Sequence, residues 1–191
     1  MIRNFPHRKL LDLYVRFNVR HTTSVLDIGA GIRPLPWFTP RTHIVIEPHE
    51  EYIERLRELR PDITVIPGTA QETLPHIESK SLDSVFLLDI IEHIPKNEGL
   101  EVVDHAVRIA RQQVVIFTPL GFFPQDEAEI DRWGMHGGYW QAHRSGWMPE
   151  ELTALGFDAY ICKNYHAVDA HDTRLSTPHG AFYAIQNLKG E

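Results

Sequence analysis

Five short aliphatic runs, spaced along the first two-thirds of the chain, constrain its fold more than any other feature. Residues 24–28, 43–46, 63–66, 82–88 and 114–117 are rich in Val, Ile and Leu, and several are nearly unbroken by polar side chains. A strand covered on both faces reads this way, because neither side of its pleat meets water. Helical patterns lie between the runs. Residues 50–60 carry Tyr52, Ile53, Leu56 and Leu59 at helical spacing and stop before Pro61, and Leu100, Val103, Val107 and Ala110 share one helical face. Strands alternating with helices predict a doubly wound α/β domain, with a mostly parallel sheet and helices on both faces.

Punctuation refines this outline. Leu10, Leu11, Tyr14, Val15 and Phe17 predict an amphipathic helix over residues 9–20. Pro34, Pro36 and Pro40 leave room for only a short helix after the first strand. Pro149 starts a short helix over residues 149–155, which Gly156 stops. Residues 157–161 and 181–185 read as a closing antiparallel hairpin. The 191 residues suit a single domain: an opening helix (1–20), a core (21–119), an aromatic and His-rich segment (120–147), and a closing helix and strands (148–191).

Segment 120–147 has no steady period. It holds Phe122, Phe123, Trp133, His136, Tyr139, Trp140, His143 and Trp147. A long irregular stretch in a compact domain is usually functional, so it is expected on the substrate side of a site. Trp133, Trp140 and Trp147 are expected either to pack the underside of a lid or to form a stacking surface or aromatic cage for a ligand, and removal of the segment is expected to spare the fold more than turnover.

The formal net charge is −7. Such a chain has no bulk attraction for phosphate backbones or anionic lipid, and no local basic patch stands out, so neither nucleic acid nor membrane is an expected partner. The single cysteine, Cys162, excludes an internal disulfide. No secretory leader or membrane-spanning run is visible, and a cytoplasmic location is expected.

The first strand runs into Asp27-Ile28-Gly29-Ala30-Gly31-Ile32-Arg33-Pro34. Two glycines let a ligand approach the backbone, but the third glycine of the dinucleotide fingerprint is replaced by Pro34. Asp27 would repel a pyrophosphate and suits a cation. Glu47, at the end of the next strand, can accept hydrogen bonds from both hydroxyls of a ribose. The pair therefore points to a nucleoside bearing positive charge.

These segments resemble the class I S-adenosylmethionine (SAM)-dependent methyltransferases. Leu26-Asp27-Ile28-Gly29-Ala30-Gly31 resembles the glycine-rich loop and Val45-Ile46-Glu47-Pro48 the ribose-binding turn. Gly68-Thr69-Ala70-Gln71 is similar to the turn that covers adenine, and Leu82 through Pro95 to the fourth strand and its turn. Segments 117–122 and 143–147 look like those of a bacterial subgroup of small methyltransferases. The chain departs from the family at Arg33, where Gly is common, and at Thr69, where Asp is common.

The resemblance implies SAM as cofactor, held by Asp27, Gly29, Ala30, Gly31, Glu47, Pro48, Thr69, Ala70, Gln71, Leu88 and Asp89. It implies methyl transfer to an oxygen or nitrogen of a small-molecule acceptor. His93 and His143 are the candidate bases, from their positions and from the match of imidazole to neutral pH. Asp89, Glu92 and His93, with His143 as a further ligand, resemble the metal-binding turn of some RNA 2′-O-methyltransferases and quinone-pathway O-methyltransferases. The favoured reading is that Glu92 and His93 brace the turn, with no metal. A non-catalytic SAM-binding module and a metal-dependent RNA-terminus 2′-O-methyltransferase are the alternatives. His166, Asp169, His171 and Asp172 read as a solvated loop.

Overall fold

The computed structural model describes residues 1–169 and 172–188. Eight strands form one sheet: β1 (Ile2–Asn4), β2 (Ser24–Ile28), β3 (Thr42–Glu47), β4 (Thr64–Pro67), β5 (Leu82–Leu88), β6 (Ala110–Pro119), β7 (Asp158–Val168) and β8 (Arg174–Asn187). Their order is β1-β7-β8-β6-β5-β2-β3-β4. β8 runs antiparallel to β6 and β7, and every other pairing is parallel. The chain leaves β2 toward β3 and β4, then crosses back to lay β5 on the other side of β2. Strand order reverses there, and a crevice opens at the carboxyl ends of the strands.

Register sorts the two faces. Val85, Leu87, Val114 and Ile116 point to one face, under α3 (Ala70–Thr73), α4 (Lys96–Ile109) and the short helix α5 (Pro149–Ala154). Phe86, Val115 and Tyr183 point to the other, under α1 (Arg8–Asn18), and α2 (Glu50–Leu59) packs Leu56 on Val45. No helix follows β2. The prolines hold residues 32–41 in irregular backbone, and Leu35, Trp37 and Phe38 cover the sheet where a helix would lie. Among the described residues no helix is long and apolar enough to cross a membrane.

Three expectations need correction. Ala110 is not on a helical face but is the first residue of β6. The closing hairpin is far longer than its two apolar stretches, because polar residues pair beyond the core as far as Val168 and Arg174. His166 is therefore in a strand rather than a solvated loop; Asp169 and Asp172 are in the hairpin turn, where their backbones bond (3.2 Å), and His171 lies outside the described residues. β1 had no signal, since three exposed residues carry no period.

The aromatic segment is likewise not all lid. Trp147 is fully buried in the main core. Its indole N–H reaches Ile91 O (3.1 Å) and Ser145 Oγ (3.0 Å), and the Lys96 ammonium sits 3.6 Å from its ring centre. Gly99 of α4 makes room for it, as a Cβ there would lie 2.7 Å from Trp147 Cζ2. Replacing Gly by Ala inside a helix gains up to about 1 kcal/mol of propensity. Overpacking costs about 1–3 kcal/mol, and the doubly bonded indole cannot step aside. Gly99→Ala should therefore lower unfolding stability by about 1–2 kcal/mol in urea titration; a stabilised variant would show that Trp147 moves freely.

Candidate active site

One cavity of about 1080 Å³ opens at the carboxyl ends of the central strands. Gly29, Gly31, Glu47 and Pro48 line one end; Phe117, Phe123, Tyr165 and His166 line the other. Gly29 and Gly31 have φ of 64° and 55°, in the left-handed region that favours glycine. A Cβ at Gly29 would strike Ile90, and one at Gly31 would lie 2.6 Å from the Trp133 ring.

Glu47 is buried at the end of β3. Its carboxylate accepts N–H bonds from Gly31 (2.8 Å) and His49 (3.1 Å), and its remaining lone pairs face the cavity. Burial pushes its pKa up to about 7 despite those two donors. Asp27 is placed differently from the expectation. Its Oδ2 accepts from Leu35 N (2.7 Å) and lies 3.4 Å from His43 Nε2, so it braces the glycine loop from behind and is not on the cavity wall. Ala70 is buried in the core, also off the wall. Ala30, Pro48, Thr69, Gln71, Leu88 and Asp89 do line the cavity. The Thr69 hydroxyl caps α3, accepting from Glu72 N at 3.2 Å, and Gln71 donates to Glu98 (2.9 Å).

The wall after β5 is a tight turn. Asp89 has φ of 55°, and Ile91–His93 form one turn of 3-10 helix. Residues 142–147 are bonded onto it. Arg144 N and Ser145 N donate to Glu92 O (2.7 and 3.0 Å), Ser145 Oγ donates to Ile91 O (3.0 Å), and the Arg144 guanidinium donates to His93 O (3.1 Å). These contacts bring His143 beside His93, with ring centres 4.8 Å apart. His93 Nδ1 pairs with Ala142 O (3.2 Å) and His143 Nδ1 with Phe123 O. A carbonyl can only accept, so both rings carry their proton on Nδ1 and leave Nε2 as an acceptor. Burial lowers His93 to about 3, with the adjacent His143 adding to the effect, and burial also lowers His143.

Glu92 is buried, Thr118 Oγ1 donates to its Oε2 (3.0 Å), and the Asp89 carboxyl is its other side-chain neighbour. Burial first, and then the neighbouring Asp89 carboxylate, push Glu92 well above the usual carboxylate range. Asp89 is exposed at the cavity, and the protein surrounding it holds its carboxyl above the usual carboxylate range. Candidate ligand atoms of Glu92, His93 and His143 all lie within 4.8 Å of one another.

One organising residue had no sequence expectation. Asp131 is buried and accepts from the backbone N–H of Trp133 (2.7 Å), Met135 (3.2 Å) and Gly137 (3.1 Å), and from the Tyr52 hydroxyl. It shapes the turn that lays Trp133 over Gly31. An Asp whose side chain bonds backbone two residues on is an Asx turn, and Asp131-Arg132-Trp133-Gly134 carries that signal.

No protein-family model and no curated protein matches the chain. Solved structures do. It is similar to a SAM-dependent methyltransferase of Archaeoglobus fulgidus, with 17% identity over 94% of each chain and a TM-score of 0.55. YcgJ of Bacillus subtilis is 15% identical over 97% of this chain and 100% of its own, with a TM-score of 0.60. The chain has the class I methyltransferase fold. The plantazolicin methyltransferase BamL, solved with a triazolic desmethyl analogue and S-adenosylhomocysteine, is 15% identical over 95% of this chain and 83% of its own, with a TM-score of 0.54.

In this class I fold the Glu92 carboxyl allows a direct test of the turn. Its folded pKa lies above the unfolded one, so its contribution to stability is present at low pH and is lost as pH rises through the ordinary carboxylate value toward the folded one. Glu92→Gln cannot ionise, keeps the acceptor for Thr118, and offers an N–H to Asp89. It should match the parent near pH 4 and exceed it near pH 8 by at least about 1 kcal/mol, since each unit of pKa shift is worth about 1.4 kcal/mol. Denaturant titration at the two pH values reads this directly. An unchanged pH dependence would mean that Glu92 ionises as freely as an exposed carboxyl.

Proposed function

We propose that the chain is a SAM-dependent methyltransferase acting on an oxygen or nitrogen of a small molecule. The observation that carries the reading is the buried Glu47 carboxylate, held by Gly31 N–H at the end of β3 and facing the cavity beside two left-handed glycines. The glycine loop suits an adenosine ligand because Gly29 and Gly31 line the cavity in left-handed backbone, with no side chain to keep a ligand off. Glu47 would hold the ribose hydroxyls. Gly29, Ala30 and Gly31 would face the amino-acid end, and Thr69 and Gln71 the adenine side. When bound, SAM supplies a methyl group on a sulfonium. The acceptor would sit at the opposite end, against Phe117, Phe123 and Tyr165, and the small acceptor analogue bound by BamL supports a small molecule there. The buried free Cys162 supports a reducing, cytoplasmic setting.

His143 is the better base of the pair. A pKa near 3 makes His93 a poor proton acceptor, and its ring orients and packs His143 instead. Phe123 O holds the His143 ring in the Nδ1–H tautomer, with Nε2 free to take a proton from the acceptor.

A metal-assisted version is the second reading. It is favoured by the Glu92, His93 and His143 cluster, whose candidate ligand atoms lie within 4.8 Å of one another. Imidazoles oriented through their other nitrogen are the usual arrangement of metal ligands, and a carboxylate with imidazoles suits Mn²⁺ or Mg²⁺.

Calorimetry with SAM, S-adenosylhomocysteine and NAD tests the cofactor. The two sulfur nucleosides should bind and NAD should not, and Glu47→Gln should lose about 1.5–3 kcal/mol, the scale of a charge-assisted hydrogen bond. Affinity in the parent should rise as pH passes upward through about 7, where Glu47 ionises, and stay flat in the variant. Failure of both nucleosides to bind would end the methyltransferase reading. Once an acceptor is found, His143→Ala should lower kcat by about 10²–10⁴-fold while leaving S-adenosylhomocysteine affinity intact. Loss of activity on chelation, restored by Mn²⁺, would choose the metal-assisted version.

A further inference from the structure

The acidic character of the chain is not evenly spread. Residues 1–20 hold Arg3, Arg8, Lys9, Arg16 and Arg20 against Asp12 alone, a net +4, so the other 171 residues carry −11 of the total −7. The fold gathers several of these cations on α1. Leu11 and Val15 are buried against the sheet. At 100° per residue, Lys9, Leu10, Leu13, Arg16 and Phe17 fall on the opposite side. Leu10 is 42% exposed, Leu13 51% and Phe17 79%. The helix thus buries one apolar stripe and presents a second one, flanked by Lys9 and Arg16. Asp12 does not spoil this face. It turns inward, accepting from the Tyr165 hydroxyl (2.8 Å) and pairing with Arg8.

We propose that this outer face of α1 docks the protein on an anionic lipid surface. Charge complementarity selects the occupant: a cationic face on a chain otherwise strongly negative can approach an anionic bilayer while the rest of the molecule is repelled into water. Apolar side chains set between cations are what an interfacial helix inserts below the headgroups. A nucleic acid would use the cations but offers no apolar phase for Phe17 and Leu13. A second copy would bring like charges face to face. The surface also adjoins the cavity, since Lys9, Leu13 and Arg16 line its mouth. Docking would therefore hold that mouth at the lipid boundary. The inference stands on α1 alone and does not depend on which cofactor the cavity takes.

Sedimentation of the full chain with vesicles tests it. Vesicles of phosphatidylcholine mixed with phosphatidylglycerol in equal parts should retain the protein, vesicles of phosphatidylcholine alone should not, and added salt should weaken retention. Lys9→Glu combined with Arg16→Glu should weaken partitioning about tenfold or more. Leu10→Ser combined with Phe17→Ser should also weaken it, and circular dichroism should show both variants folded, because all four side chains are exposed. Equal retention on both vesicle types, or variants that bind like the parent, would overturn the proposal. So would binding to duplex DNA with none to vesicles, or a dimer in sedimentation equilibrium that the Leu10 and Phe17 changes dissolve.

Discussion

The bonding of residues 142–147 onto the turn after β5 is the contact on which the rest of this structure depends. Glu92 O and His93 O are carbonyls at the end of a 3-10 turn with no helical partners of their own, and Ile91 O has only a long bond from Ile94 N (3.4 Å). Trp147, Ser145 and Arg144 supply the donors. The indole is buried in the same step, so one short segment anchors the core and satisfies the turn. His143 is carried to His93 as a result, and two residues fifty apart in sequence come to share one wall of the cavity.

The turn is held tightly because its chemistry is costly. Two carboxyls and two imidazoles are crowded onto one turn, with Glu92 buried and Asp89, His93 and His143 facing the cavity. Desolvation keeps both imidazoles neutral and resists ionisation of both carboxyls. A looser loop would let water in and return these groups to their ordinary values. The fully buried Trp147, with the Lys96 ammonium above it, closes the turn on its core side.

The framework was legible in sequence wherever a run was buried on both faces. β5 was bounded to the residue, and β2, β3 and α2 to within one residue at each end. What escaped had physical reasons. β1 is three exposed residues. The outer half of the closing hairpin is polar, so hydrogen bonding rather than burial extends it. The core role of Trp147 was hidden because an isolated Trp has no period. At the site, the glycine loop and Glu47 were legible, since strand ends and glycines leave marks in sequence. Asp27 was read toward the cavity, while the demand of Leu35 N, in the proline-bound loop, turned it away. The local Asx-turn signal at Asp131 does not show that the Gly137 N–H and the distant Tyr52 hydroxyl converge on the same carboxylate.

The roof formed by Trp133 has a consequence for the glycine end. Trp133 packs on Gly31 and is tied through Asp131 to Tyr52 of α2, far from the α1 side where Phe123 and Tyr165 lie. Asp131 holds the backbone of Trp133, while the indole itself is kept over Gly31 by packing against that glycine and Tyr52. The cover at the glycine end therefore depends on a turn whose bonds to Trp133, Met135 and Gly137 all converge on one carboxylate. Loss of that single charge would loosen the cover and the α2 contact together.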